Sequence, residues 1–110
     1  MILLLRERAT PQQLELMLQQ HKFYIKTAVD IERRVLTGGG ELHADCEKEL
    51  LKDGSRQQDI WAASFMPTTG RIIYESMVNL RPRQNRKMEI IDPSIREKVA
   101  QMINEFLGDL

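Results

Sequence analysis

Three consecutive glycines, Gly38-Gly39-Gly40, most restrict what this chain can fold into, because glycine alone takes positive φ angles without strain. The preceding segment, from Tyr24 to Leu36, is rich in β-branched residues and predicts a strand. The pattern therefore favours a hairpin in which the chain reverses at the glycines. The alternative is a phosphate-binding loop, which requires a helix directly after the glycines and usually a Lys-Ser/Thr pair that this sequence lacks.

The segment after the glycines, residues 41–53, has two interpretations. If it is extended, Glu41, His43 and Asp45 point to one side of the sheet and Cys46 points to the core, because side chains alternate along a strand. If it is helical, His43 and Cys46 share one face instead.

Composition favours a combination of the two interpretations. Residues 46–52 are rich in helix formers, and Gly54 stands where a helix C-cap is expected. We therefore predict a short strand through about Ala44, followed by a two-turn helix that ends near Asp53.

Carboxylates and one histidine are concentrated on both sides of the glycines. Asp30 and Glu32 would lie on one strand of the hairpin, and Glu41, His43 and Asp45 on its neighbour. Carboxylates with an imidazole suit Mg²⁺, Mn²⁺ or non-haem iron, so a divalent metal is the candidate cofactor and Asp30, Glu32 and His43 are its predicted ligands. Neighbouring carboxylates would raise the pKa of His43, which predicts acid–base catalysis by His43, Asp45 and Glu41.

These residues also have a structural interpretation. The carboxylates can be solvated side chains on an open sheet face, with Arg33, Arg34 or Lys48 as ion-pair partners. Cys46 is typical of a small core residue rather than a nucleophile, since in the extended interpretation it points away from His43.

A basic segment, from Arg81 to Lys87, carries four positive charges and no acid. Arginine binds phosphate through two parallel hydrogen bonds, and an exposed tryptophan can stack on a base. The predicted ligand-binding residues are Arg81, Arg83, Asn85, Arg86 and Trp61. Alternatively, Arg81 and Arg83 pair with the acidic residues in a structural network. The 16 basic and 16 acidic residues cancel, so we predict that nucleic acid is not the partner.

Local signals elsewhere predict an α+β fold. The other predicted strands are residues 2–6, 58–66, 71–80 and 88–91. Thr10-Pro11-Gln12-Gln13 begins an N-terminal helix with a capping box, and Asp92-Pro93 begins a C-terminal one. The apolar side of that helix is formed by Ile95, Val99, Met102, Ile103, Phe106 and Leu107. We expect a mainly antiparallel sheet with the two helices packed on one face and polar residues on the other.

Chain length and the N-terminal residues limit the class of protein. The 110 residues form a single domain, residues 1–110. The apolar run Met1–Leu5 is shorter than a signal peptide core of about 7–15 residues or a membrane span of about 20, so we predict a soluble protein without membrane contact. One cysteine favours a reducing, cytoplasmic compartment. An open sheet face and short edge strands favour a homodimer that buries Trp61 or Phe65.

Several runs of residues resemble a known family. They are Val29-Asp30-Ile31-Glu32, Gly38 to Glu47, Asp53-Gly54-Ser55, Asp59-Ile60-Trp61 and Asn79-Leu80-Arg81-Pro82-Arg83. Together they resemble a family of short bacterial, largely cyanobacterial, proteins of unknown function, across nearly the whole chain. The resemblance implies an uncharacterised bacterial protein and no mechanism.

The function that the sequence favours is binding. We predict a binding or interaction domain with a carboxylate–histidine polar site. The alternative is a metal-assisted or acid–base enzyme that acts on a small phosphorylated or nucleotide-like substrate.

Overall fold

An antiparallel sheet of five strands organises the part of the chain that the computed structural model describes, residues 1–108. The strands are β1 (Leu3–Leu5), β2 (Ile25–Asp30), β3 (Val35–Gly38), β4 (Ile60–Met66) and β5 (Arg71–Ile73). Their order in the sheet is β1-β3-β2-β4-β5. The helices are α1 (Pro11–Met17), α2 (His43–Lys52) and α3 (Pro93–Leu107). The predicted α+β class with an antiparallel sheet is confirmed.

The central strands β2 and β3 occupy a segment for which the sequence predicted one strand. The chain reverses between Asp30 and Val35, so Val29 pairs with Leu36. The side chain of Asp30 accepts hydrogen bonds from the backbone of the turn, and Arg34 takes a positive φ of 55°. The prediction of a single strand was wrong because this turn contains no glycine or proline to signal it.

The three glycines connect β3 to α2 and do not form a hairpin turn. Gly39 has a φ of 98°, and a Cβ atom added there would collide with the carbonyl oxygen of Met1 and lie 2.9 Å from Cα of Met17. Glycine is required because three segments of backbone meet at this point. The predicted strand through Ala44 was also wrong, since α2 already begins at His43.

Both faces of the sheet are covered by helices. On one face, Val29, Leu36 and Trp61 belong to an apolar cluster with Met17 of α1 and the buried side of α3. The neighbouring residues on the same strands point the opposite way and form a second cluster with α2. That cluster contains Ala28, Val35, Cys46, Leu50 and Ile60. The expectation of a polar, open second face was therefore wrong, because helix α2 was not predicted to pack there.

The two predicted helix starts are confirmed. Thr10 forms a capping box at α1, and the side chain of Asp92 accepts a hydrogen bond at the start of α3. All six residues of the predicted apolar stripe of α3 are buried. None of the helices within residues 1–108 is long and apolar enough to cross a membrane.

The C-terminal half of the sheet is shorter than predicted. Strand β5 ends at Ile73, and a 3₁₀ turn, Met77–Asn79, replaces the rest of the predicted strand 71–80. Residues 88–91 form no strand, and only an isolated bridge joins Glu75 to Glu89. We call residues 76–91, which follow β5 and precede α3, the 76–91 loop.

Candidate functional site

The three residues predicted for acid–base catalysis lie at the start of α2. Asp45 accepts a hydrogen bond from the backbone N–H of Leu42 and so caps the helix, at 3.2 Å. Glu41 is exposed, and its backbone carbonyl lies 3.1 Å from Nε2 of His21. Of the three, only His43 turns towards the sheet, so the expected cluster of ionisable side chains is not formed.

His43 is held as a neutral imidazole over strand β4. Its Nε2 atom is 3.2 Å from the backbone oxygen of Ala63 and 3.1 Å from Oγ of Ser64. Burial, together with nearby Lys26, lowers the pKa of His43 to about 4. The expected rise in this pKa was wrong, because the carboxylates do not surround the ring.

The contact between His43 and Ser64 does not amount to an activated nucleophile. A backbone carbonyl only accepts hydrogen bonds, so the contact with Ala63 assigns the hydrogen to Nε2. Its single hydrogen is shared between the Ala63 oxygen and the Ser64 hydroxyl, so Nε2 has no free lone pair to take the serine proton, as a general base must. The serine itself is largely buried between β5 and β2.

Asp30 and Glu32, two of the predicted metal ligands, belong to the turn between β2 and β3. The fully buried Asp30 uses Oδ1 to accept hydrogen bonds from the backbone N–H groups of Glu32 and Arg33, both at 2.9 Å. Arg33 continues the network to Oγ of Ser55, at 2.8 Å, and to Oδ2 of Asp53, at 2.9 Å. This network fixes the turn against the end of α2.

The geometry that the metal site requires is not formed. Asp30 pairs with Ile60 at one end of β2, whereas His43 lies over Ser64, whose partner is Lys26 at the other end. Four residues of strand separate these positions by roughly 13 Å. Among residues 1–108, no group of three or more His, Cys, Asp or Glu side chains could hold a metal ion.

Cys46 belongs to the core, as its structural interpretation predicted. It is fully buried against β2 and β3, and Sγ lies 3.4 Å from the backbone oxygen of Lys26. Burial raises the pKa of the Cys46 thiol to about 11, so the reactive thiolate is scarce near neutral pH.

Three of the five predicted ligand-binding residues are buried. They are Trp61, Arg81 and Asn85. Trp61 does not meet the condition of exposure for base stacking, because it is buried and the Arg81 guanidinium lies over its ring at 3.7 Å from the centre. Burial of Trp61 and Phe65 within one chain leaves the short edge strands as the remaining reason to expect a homodimer.

Arg81 bonds to its own chain. Its terminal nitrogens donate to the backbone oxygens of Ile60 at 2.5 Å, Gln57 at 3.1 Å and Asn79 at 3.3 Å. Asn85 similarly donates to the oxygens of Asn79, Lys87 and Glu89, at 2.8 to 3.0 Å, and accepts from the N–H of Ile91. These side chains hold the 76–91 loop in one conformation.

Asn79 completes this arrangement, and sequence reasoning missed its role. Its side chain accepts from the N–H of Ala62 at 2.8 Å and donates to the oxygen of the same residue at 2.9 Å, as a neighbouring strand would. It also donates to the oxygen of Met88, at 3.1 Å. One sequence signal could have indicated this role. Asn79 stands in a segment whose apolar residues alternate as in a buried strand, and asparagine is disfavoured in strands.

The outer surface of the 76–91 loop is apolar and basic. Its exposed apolar residues are Met77, Leu80, Met88 and Ile91, and its exposed cations are Arg83, Arg86 and Lys87. A groove of about 340 Å³ opens here, lined by Leu80, Arg81, Pro82 and Arg86. The predicted residue Arg86 thus lies beside apolar side chains that the sequence did not single out.

A comparison with models of protein families assigns the chain to one family. The model of a family described as Protein of unknown function (DUF5674) matches residues 3–106. The chain belongs to this family. No curated protein matches it, and no solved structure does. The bacterial origin implied by the sequence resemblance stays a prediction.

Proposed function

We propose that this member of the family is a binding protein and that the 76–91 loop is its recognition surface. The observation that carries the proposal is the groove between Leu80, Pro82 and Arg86, on a loop held by buried hydrogen bonds. Binding residues commonly lie on loops that a rigid scaffold positions. A shaped concavity with apolar walls and a few polar groups is the usual form of a ligand site.

The rigidity of the loop supports binding. Asn79, Arg81 and Asn85 are buried, and their side chains bond to backbone groups before and after them in the chain. A surface that is already ordered loses less conformational entropy when a partner binds, so more of the contact energy contributes to affinity.

The exposed side chains of the loop support the same proposal. Met77 is 75% exposed and Leu80 is 42% exposed. Ser76 donates its backbone N–H to the oxygen of Met88, so the two methionine-bearing segments lie side by side. Neighbouring exposed apolar residues with a polar rim are typical of an interaction site.

The test is selection of binders from a random phage-displayed peptide library, followed by affinity measurements on variants. Leu80→Asp should weaken the selected peptides at least tenfold, since it places a charge in the apolar groove. Leu51→Asp is the matched control, because Leu51 has the same 42% exposure but lies at the end of α2. The proposal is wrong if no binder is obtained, or if both variants weaken binding equally.

Two other roles stay predictions. The acid–base or metal-assisted role of His43, with Asp45 and Glu41 or with Asp30 and Glu32, has no supporting contact among residues 1–108. Elemental analysis of the purified protein tests the metal-assisted role. Metal that is retained by the wild-type protein but not by His43→Ala would support it. Light scattering at micromolar concentration tests the homodimer, and a single-chain mass would count against it.

A further inference from the structure

We infer that the partner of the 76–91 loop is an acidic protein segment that carries apolar anchor residues. The inference rests on the proposed function and adds the chemistry of the ligand. It follows from the charge, the side-chain types and the shape of the loop.

The charge of the loop is positive, since its four cations outnumber its one acid, Glu89. Arg83, Arg86 and Lys87 are exposed, and within residues 1–108 none of them forms an ion pair. Arg86 donates only its Nε–H, to the oxygen of Pro82 at 3.1 Å, so both terminal nitrogens keep their hydrogens free. The acid closest to them in sequence is Glu89, which is exposed. Two guanidinium groups with free donors match carboxylates in geometry and charge.

The apolar side chains favour a protein partner over a nucleic acid. Met77, Leu80 and Met88 are aliphatic, and they lack the flat π-face on which bases stack. The one tryptophan is covered by Arg81, and the charge of the whole chain is balanced. Methionine side chains adapt to irregular apolar surfaces, and they are common where proteins bind peptides.

The shape of the site shows how the two kinds of contact combine. The groove of about 340 Å³ has Leu80 and Pro82 on its walls and Arg86 beside them. An apolar side chain of the partner would fill this groove, and carboxylates on either side of it would reach Arg86 and Arg83. The partner therefore needs an apolar residue flanked by Asp or Glu. An apolar residue without flanking acids, or acids without an apolar residue, would not be enough for binding.

The experiment uses three peptide libraries that share one apolar pattern and differ in the flanking positions. These positions carry Asp/Glu, Asn/Gln or Lys/Arg. Binders should come from the acidic library, at least tenfold enriched over the amide library. Equal enrichment from the amide library would overturn the inference while leaving the proposed function intact, provided that Leu80→Asp still abolishes binding. Failure of every library to give Leu80-dependent binders would overturn both.

Charge reversal supplies the second measurement. The double variant Arg83→Glu/Arg86→Glu should weaken the selected acidic peptides at least tenfold, and higher salt should weaken the wild-type complex. Arg71→Glu is the control, since Arg71 is an exposed arginine on β5, outside the loop. The affinity of this variant for the selected peptides should stay within twofold of the wild-type value. An unchanged affinity in the double variant overturns the inference.

A random pool of single-stranded RNA tests the competing class of partner. We expect the protein to retain the RNA pool only weakly, and replacing Met77 should leave this retention unchanged. Retention that is as tight as that of the acidic peptides, and is lost in Arg83→Glu/Arg86→Glu, would assign the loop to nucleic acid and overturn the inference.

Discussion

Replacing Asn79 should destabilise the protein more than the size of its side chain suggests. The side chain makes three hydrogen bonds of 2.8 to 3.1 Å, two with Ala62 and one with Met88, and it is completely buried. In Asn79→Ala, the N–H and the oxygen of Ala62 lose their partner in the protein interior, whereas the oxygen of Met88 still accepts from the N–H of Ser76.

The magnitude follows from the two backbone groups of Ala62. Each buried backbone group left without a partner costs about 1–3 kcal/mol. Water that enters the space of the lost amide offsets part of this sum. We therefore expect Asn79→Ala to lower the free energy of unfolding by about 2–4 kcal/mol. Because a domain of this size is stable by about 5–15 kcal/mol, the variant should be folded but much weakened.

Asn79→Asp gives a sharper test because it preserves shape. The oxygen that accepts from Ala62 is retained, but the amide that donates to the oxygens of Ala62 and Met88 becomes a second acceptor. A carboxylate facing carbonyl oxygens has its pKa raised in the folded state. The added loss of stability is thus complete at neutral pH and shrinks as the pH falls through that raised pKa.

Guanidinium unfolding, followed by the fluorescence of Trp61, measures these changes at pH 7 and pH 5. At pH 7, Asn79→Asp should have a lower free energy of unfolding than Asn79→Ala. At pH 5, the difference between the two free energies should be smaller. Asn104→Ala, on the exposed side of α3, is the control and should change stability by less than about 0.5 kcal/mol. A loss below about 1 kcal/mol for Asn79→Ala would refute the reasoning.

Three further predictions concern residues near the glycines. Because the pKa of His43 is lowered to about 4 in the folded state, the protein should lose about 2 kcal/mol as the pH falls from about 6.5 to 4.5, and urea unfolding of His43→Gln should lack this loss. Gly39→Ala should cost at least about 2 kcal/mol, since its backbone has a positive φ and lies against Met1 and Met17; a smaller shift in thermal unfolding would contradict this. Cys46 should react with a thiol reagent only at the rate of unfolding, and fast labelling of folded protein would disprove its burial.

The parts of the fold that the sequence predicted are those with local causes. The caps at Thr10 and Asp92 and the apolar stripe of α3 depend on residues within a few positions of one another. The turn after Asp30 has an equally local cause, but it uses an arginine, Arg34, in a conformation usually reserved for glycine. The three glycines were wrongly predicted to form a hairpin turn because the cause there is not local. Glycine is required at position 39 by the close backbone of Met1 and Met17, which are distant in sequence.

The same distinction explains the candidate site. Arg81 and Asn85 belong to a basic, polar segment, which in isolation is typical of an exposed surface. Their actual partners are backbone carbonyls, and those of Arg81 include carbonyls 21 and 24 residues away, at Ile60 and Gln57. No pattern within the segment indicates such pairing, so the sequence could identify the loop but not which of its arginines remain exposed.

These assignments change what membership of the family implies. Within the runs that carry the resemblance, Asp30 fixes a turn, Gly39 permits a close approach of backbones, and Asn79 and Arg81 pair with strand β4. These roles are met by contacts within the chain, so in this protein the four residues stabilise the fold. If binding is the function, Leu80 and Pro82 of the groove lie within those runs, whereas Met77 lies outside them, and its replacement would change binding while leaving the framework unchanged.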